Sequence, residues 1–202
     1  MGWARSGAPA GSLVVAAGQI APRSRPRRPW PAGGANSVSF TLICRPRMTP
    51  SHAGILYLAA TAGLADALGP TVDIEWPDEL YAGDRLLGLL SVHLEQTVRG
   101  LEWALINVML TEVEPPRAAA LTPVIEAVER RCSEDDEALV AAWTPRCRTL
   151  GRSVSALLYP IGREHRVAGQ AVGVRPSGAL VVEERIGGTR AIRPHQLAAW
   201  ES

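Results

Sequence analysis

The chain reads as an α+β protein in two parts: a mixed or antiparallel sheet with helices over residues 12–148, then a small β-barrel over 149–202. Three observations predict this. Alternating and β-branched runs recur through the first part, with a single long stretch of helical spacing between residues 50 and 68. Beyond Thr149-Leu150-Gly151 the runs become short, evenly spaced and separated by Gly and Pro turns. A chain of 202 residues with 47% hydrophobic residues is also long enough to bury a sizeable core.

Taken in order, residues 1–11 are small and patternless and predict a disordered tail. Ser12–Ala17 predicts a short buried strand. From Gln19 to Asn36 the chain is rich in Arg, Pro, Gly and Ala and holds no acid, so no regular element fits. Ser37–Arg45 alternates as a strand. Thr49-Pro50-Ser51 has the form of a helix start, and apolar residues keep helical spacing until Gly69-Pro70. Strands are then predicted near 71–76, 79–82, 85–95 and 98–110, and Pro115-Pro116 ends the sheet. Pro123–Arg131 and Glu134–Cys147 predict two short amphipathic helices, the second opened by Ser133 with acids in its first turn and arginines near its end. The barrel strands are predicted at 153–159, 166–174, 179–184 and 189–192.

A net charge of +1 gives no global case for nucleic acid. No apolar run approaches the ~20 residues of a membrane span, and the Leu13–Ala17 run is too short for a signal core of roughly 7–15 residues. The three cysteines, Cys44, Cys132 and Cys147, are widely spaced and predict buried, reduced thiols in a cytoplasmic protein. The four histidines have no metal-ligand spacing.

Several stretches in order carry a resemblance: Pro22-Arg23-Ser24-Arg25-Pro26-Arg27-Arg28-Pro29-Trp30, Gly34-Ala35-Asn36, Glu75-Trp76-Pro77-Asp78-Glu79-Leu80-Tyr81, Arg85-Leu86-Leu87-Gly88-Leu89-Leu90, Trp103-Ala104-Leu105-Ile106-Asn107 and Cys147-Arg148-Thr149-Leu150-Gly151-Arg152-Ser153-Val154. From about Gly11 to Trp200 the chain resembles the biotin protein ligase family. The resemblance implies a class II synthetase-like domain followed by an SH3-like barrel. It implies ATP, Mg²⁺ and biotin as ligands: a carboxylate attacks the α-phosphate of ATP, and the lysine of a biotin carboxyl carrier protein domain then takes the acyl group.

By position, the resemblance implies catalytic roles for Arg85 and Arg25. Gln19, Arg23, Arg25, Trp30 and Gly88 would bind the acid, and Arg28, Asn36, Trp76, Glu79 and Asn107 the nucleotide, with Glu79 also the metal ligand. A DNA-binding domain and a membrane partner are not expected.

The departures are as informative as the matches. The glycines expected in the arginine loop are Pro22, Ser24 and Arg27, and proline offers no N–H to phosphate. Glu75 stands where a lysine would attract nucleotide; each pair of unit charges about 5 Å apart is worth roughly 3 kcal/mol at an effective dielectric near 20. Trp103 and Leu105 replace two glycines that leave room for ligand, which predicts a narrowed pocket. Three readings follow: an acid-adenylating ligase, a catalytically degenerate homologue acting as a binding module, or an enzyme of this fold for a different acid.

Overall fold

The computed structural model describes residues 1–16, 30, 31, 34, 36–98, 100–112, 117–159, 165–185 and 187–201. Its centre is a six-stranded sheet. In chain order the strands are β1 (Leu13–Ala16), β2 (Val38–Cys44), β3 (Asp73–Glu75), β4 (Glu79–Ala82), β5 (Arg85–Thr97) and β6 (Gly100–Leu110). They lie in the order β1-β2-β6-β5-β4-β3, and every pairing is antiparallel.

A short helix, α1 (Gly2–Arg5), precedes the sheet; α2 (Ile55–Leu68), α3 (Arg117–Cys132) and α4 (Asp136–Trp143) complete the helices. α2 is buried on every side from Ile55 to Ala65, as a helix that is apolar all round must be. It lies between one face of the sheet and α3. Gly63 permits that approach, because a Cβ there would sit 2.5 Å from Val128 Cα. Trp143 of α4 donates its indole N–H to Thr61 at 2.9 Å, which ties α4 to α2. The expected helix end holds at Gly69, which takes φ 127° and leaves the helix.

The remaining strands are β7 (Ser153–Leu158), β8 (His165–Val174), β9 (Leu180–Glu184), β10 (Thr189–Ile192) and β11 (Leu197–Glu201). They form a second antiparallel sheet in the order β10-β9-β8-β7-β11. One apolar cluster runs without a break from α2 and the first sheet into Val154, Ala156, Leu180 and Val182 of the second.

Four local expectations change. The first eleven residues do not form a featureless tail: Ala4 is 2% exposed, and Arg45 donates to the Ala4 and Ala8 carbonyls at 2.7 and 3.0 Å. α3 starts at Arg117 and carries Pro123 inside it, because Leu121, Val124 and Val128 hold its inner side against the core. The strand β11 answers an apolar run that has no alternation to reveal it. Of the three thiols, Cys147 is buried, Cys44 half-buried and Cys132 exposed. Among the described residues no helix is long and apolar enough to cross a membrane.

Candidate functional site

The two faces of the central sheet differ. Along β6, Ala104, Ile106, Val108 and Leu110 enter the core with α2. The alternate residues Trp103, Leu105, Asn107 and Met109 therefore line the opposite face. Strand register arranges that face in rows. One row crosses all six strands as Ala16, Ser39, Met109, Leu89, Glu79 and Glu75. The next is Val14, Thr41, Asn107 and Ser91, and the one below it Ile43, Leu105 and His93.

The Asn107 row is internally bonded. Thr41 donates to Asn107 Oδ1 at 2.8 Å, and Asn107 Nδ2 donates to Ser91 Oγ at 3.3 Å. These groups line a cavity of about 460 Å³ that Val14, Tyr57 and Leu105 also wall. The Tyr57 hydroxyl accepts the Val92 N–H at 3.3 Å, capping β5 where β4 no longer pairs with it.

The upper row is apolar at its middle and acidic at its end. Trp30 packs on Leu86, Leu89 and Met109, and its buried indole N–H has no partner among the described residues. Glu79 is 2% exposed and accepts the Tyr81 hydroxyl at 2.7 Å. Glu75 is directly opposite Glu79, a like-charge pair that a sheet tolerates poorly. Arg148 meets it: its Nε is 3.3 Å from Glu75 Oε2, its guanidinium lies 4.3 Å from the Tyr81 ring centroid, and Nη1 donates to Gly83 at 2.8 Å. The repulsion expected from Glu75 is thus countered within the protein. Arg148 reaches the corner because its backbone N–H bonds Ile74 at 2.9 Å, continuing the sheet past β3. With Glu75 and Arg148 lying 73 positions apart and no helical or hairpin spacing between them, the sequence carries only their opposite signs as a signal.

Trp76 supports this corner from behind. It is 1% exposed in the core, donates its indole N–H to Gly178 at 3.0 Å, and its backbone N–H is accepted by Thr149 Oγ1 at 2.9 Å. The indole expected at the nucleotide instead joins the corner to the second sheet.

Two further expectations shift for one reason. The β4–β5 register slips between Leu80 and Tyr81, so Leu80 faces Gly88 but Tyr81 faces Leu86. The extra residue in β5 reverses the alternation. Leu86 takes the site face, while Arg85 turns away and donates to Glu112 at 2.6 Å, both side chains about 60% exposed. Gly88 also looks into the core: a Cβ there would lie 3.0 Å from Leu110 Cδ2, so its small size serves packing. Nor does Trp103 narrow the cavity. It is fully buried beneath α1 with Ala4, Ile43 and Leu105, and the side chain that reaches the cavity is Leu105.

The structure therefore brings Trp30, Glu79 and Asn107 to one face, with Asn36 exposed just before β2. Gln19, Arg23, Arg25 and Arg28 lie outside the described residues. Among the described residues no group of three or more His, Cys, Asp and Glu could hold a metal.

No family model matches the chain. A 93-residue stretch is 37% identical to the bifunctional ligase/repressor BirA of Bacillus subtilis, covering 44% of this chain and 29% of BirA. The solved biotin protein ligase from Aquifex aeolicus in complex with biotin and ATP superposes with a TM-score of 0.72 at 15% identity, over 98% of this chain and 92% of that one. The chain shares the fold of the biotin protein ligases and is similar to BirA in sequence over that stretch. It also resembles a biotin protein ligase-like protein of unknown function from Silicibacter sp. TM1040, with a TM-score of 0.65 at 16% identity, over 95% and 86% of the two chains. The biotin acetyl coenzyme A carboxylase synthetase from Helicobacter pylori with bound biotinylated ATP gives a TM-score of 0.60 at 17% identity, over 89% and 85%. The chain spans less than a third of the length of the curated relatives it matches.

Proposed function

We propose that this biotin ligase-like protein activates a carboxylic acid with ATP and passes the acyl group to an amine. Biotin is the default acid, and the lysine of a biotin carboxyl carrier protein domain the acceptor. The observation that carries the reading is the shared face: Trp30, Glu79 and the Asn107 row lie on one side of the sheet, where the Asn107 row lines a cavity of about 460 Å³. In the first step a carboxylate oxygen attacks the α-phosphorus of ATP and pyrophosphate leaves. In the second the amine attacks the acyl carbon, loses a proton, and AMP leaves.

Both steps need positive charge where carboxylate and phosphate meet. Arg23, Arg25 and Arg28 supply it in this reading, Trp30 covers the acid, Asn36 and Asn107 position the nucleotide, and Gln19 contacts the acid. Magnesium fits Glu79: Mg²⁺ is held by one or two carboxylates together with substrate phosphates, and needs no cluster of three protein ligands. Bound there it would neutralise phosphate charge. The second five-stranded sheet is read as the SH3-like module, residues 149–202 forming a C-terminal domain, in a cytoplasmic protein.

One observation favours the catalytically degenerate alternative. The cation expected at the reacting centre, Arg85, is engaged with Glu112 at the surface. Incubation with ATP, Mg²⁺, biotin and a carrier domain separates the two, read by pyrophosphate release and carrier labelling. Turnover lost in Arg25→Ala supports the ligase; no turnover, with no thermal shift from biotin or ATP, overturns it.

A further inference from the structure

Resting on the acid-activating reading, we propose that Leu105, backed by Trp103 and α1, is the specificity-determining side chain. It ends the acid pocket and limits the substrate to a compact carboxylic acid with an aliphatic tail. The reactive end of the face is the Glu79 row, where Trp30 packs and the acidic corner would meet metal and phosphate. A tail directed away from it passes the Asn107 row and reaches Leu105 one row lower, about 7 Å along the strand.

Leu105 does not yield easily. It is 4% exposed and packed with Ile43, Trp103 and Ala4. α1 seals this cluster and is fastened at both sides, by the two Arg45 bonds to the Ala4 and Ala8 carbonyls and by the Arg5–Glu95 ion pair at 3.6 Å. The wall therefore has backbone anchors behind it.

The chemistry of the lining sets the character of the tail. Thr41 is spent on Asn107, Asn107 on Ser91, and Tyr57 accepts the Val92 amide. Below that row Leu105 closes the cavity beside the His93 ring, so an aliphatic tail end meets leucine at no cost and a polar end has only the imidazole to replace its water.

The test uses the full chain with straight-chain acids of about four to about twelve carbons and with biotin, read by calorimetric affinity and thermal shift. The wild type should bind up to one chain length and lose affinity sharply beyond it. Leu105→Ala should move that limit to longer acids and raise affinity for the first excluded one by about tenfold or more, the scale of a methylene in an apolar pocket. Arg45→Gln, which loosens α1 without emptying the core, should move the limit in the same direction. Affinity without a length limit, or a limit unchanged in a folded Leu105→Ala, overturns the proposal. Pyrophosphate release is followed in parallel. A clear length limit without release keeps the pocket assignment and fails the ligase reading; release without a limit does the reverse. If no acid binds, both fall.

Discussion

Thr149→Val tests whether the second sheet holds the acidic corner in place. The substitution keeps volume and branching and removes only the hydroxyl that accepts the Trp76 N–H at 2.9 Å. Thr149 is fully buried and Trp76 is 1% exposed, so water cannot replace the lost partner. A buried donor left unsatisfied costs about 1–3 kcal/mol. For a chain of this length each kcal/mol lowers Tm by roughly 2–4 °C, so a fall of about 6 °C is expected. Scanning calorimetry reads it. Threonine replaced by serine at the same position keeps the acceptor and should recover most of the loss, which separates the hydrogen bond from the methyl packing. A valine variant within about 1 °C of the wild type, or a serine variant no better than valine, would show that Thr149 does not carry the corner.

Gly63→Ala places a methyl 2.5 Å from Val128 Cα and should force α2 and α3 apart at a cost of about 2–3 kcal/mol, seen as a lower urea midpoint. Asp66 sits among Arg130, Arg131 and Arg146. Partial burial alone would raise its carboxyl, but the hydrogen bonds and charge of Arg131, with Arg130 and Arg146, overcome this and hold it below the usual 3.8. A carboxyl lowered by folding stabilises the protein above the unfolded value and loses that contribution as pH falls through the folded one. The stability gap between wild type and Asp66→Asn should therefore be full at neutral pH and close below about pH 4. Burial, with Glu129 adding to it, pushes the Cys44 thiol up to about 11, and burial also raises Cys147, so both should resist thiol reagents at pH 8 until the protein unfolds, as timed absorbance assays would show. Arg85→Ala removes an exposed ion pair and should change stability by less than about 1 kcal/mol without altering the ATP-induced thermal shift, whereas Arg148→Gln should reduce that shift.

The elements were largely legible, because alternation marks strands and an unbroken apolar run between Pro50 and Gly69 marks a buried helix. The parity of β5 was not. In a regular strand Arg85 would share a face with Leu87 and Leu89, but a single extra residue between the partners of Leu80 and Tyr81 puts Leu86 there instead. A bulge leaves no compositional trace in a run of leucines. Trp103 was misplaced for a related reason: its face was right, but the helix covering it comes from a segment of Gly, Ala and Ser with no helical pattern. That helix is held by Arg45, which lies 37 residues beyond Ala8. Asn107 and Glu79 come to one face of the sheet, Asn107 through an unbroken β2–β6 register and Glu79 just ahead of the slip in β4–β5.

The acidic corner decides how the departures from the family should be weighed. Glu75 and Glu79, paired across β3 and β4, would repel by roughly 3 kcal/mol if about 5 Å apart at an effective dielectric near 20. Arg148 contributes an attraction of the same order to Glu75, reduced by the modest exposure of both groups, and its stacking on Tyr81 fixes the guanidinium. Tyr81 in turn donates to Glu79, so one residue from the segment leading into the second sheet organises both carboxylates. The reversed sign at Glu75 is therefore balanced locally and is a weak argument against nucleotide. The stronger argument concerns Arg85, whose charge the bulge removes from the face and gives to Glu112. Activity in this chain then rests on whether Arg23, Arg25 and Arg28 restore that charge, and for this reason Arg25→Ala rather than any change at Glu75 is the decisive substitution.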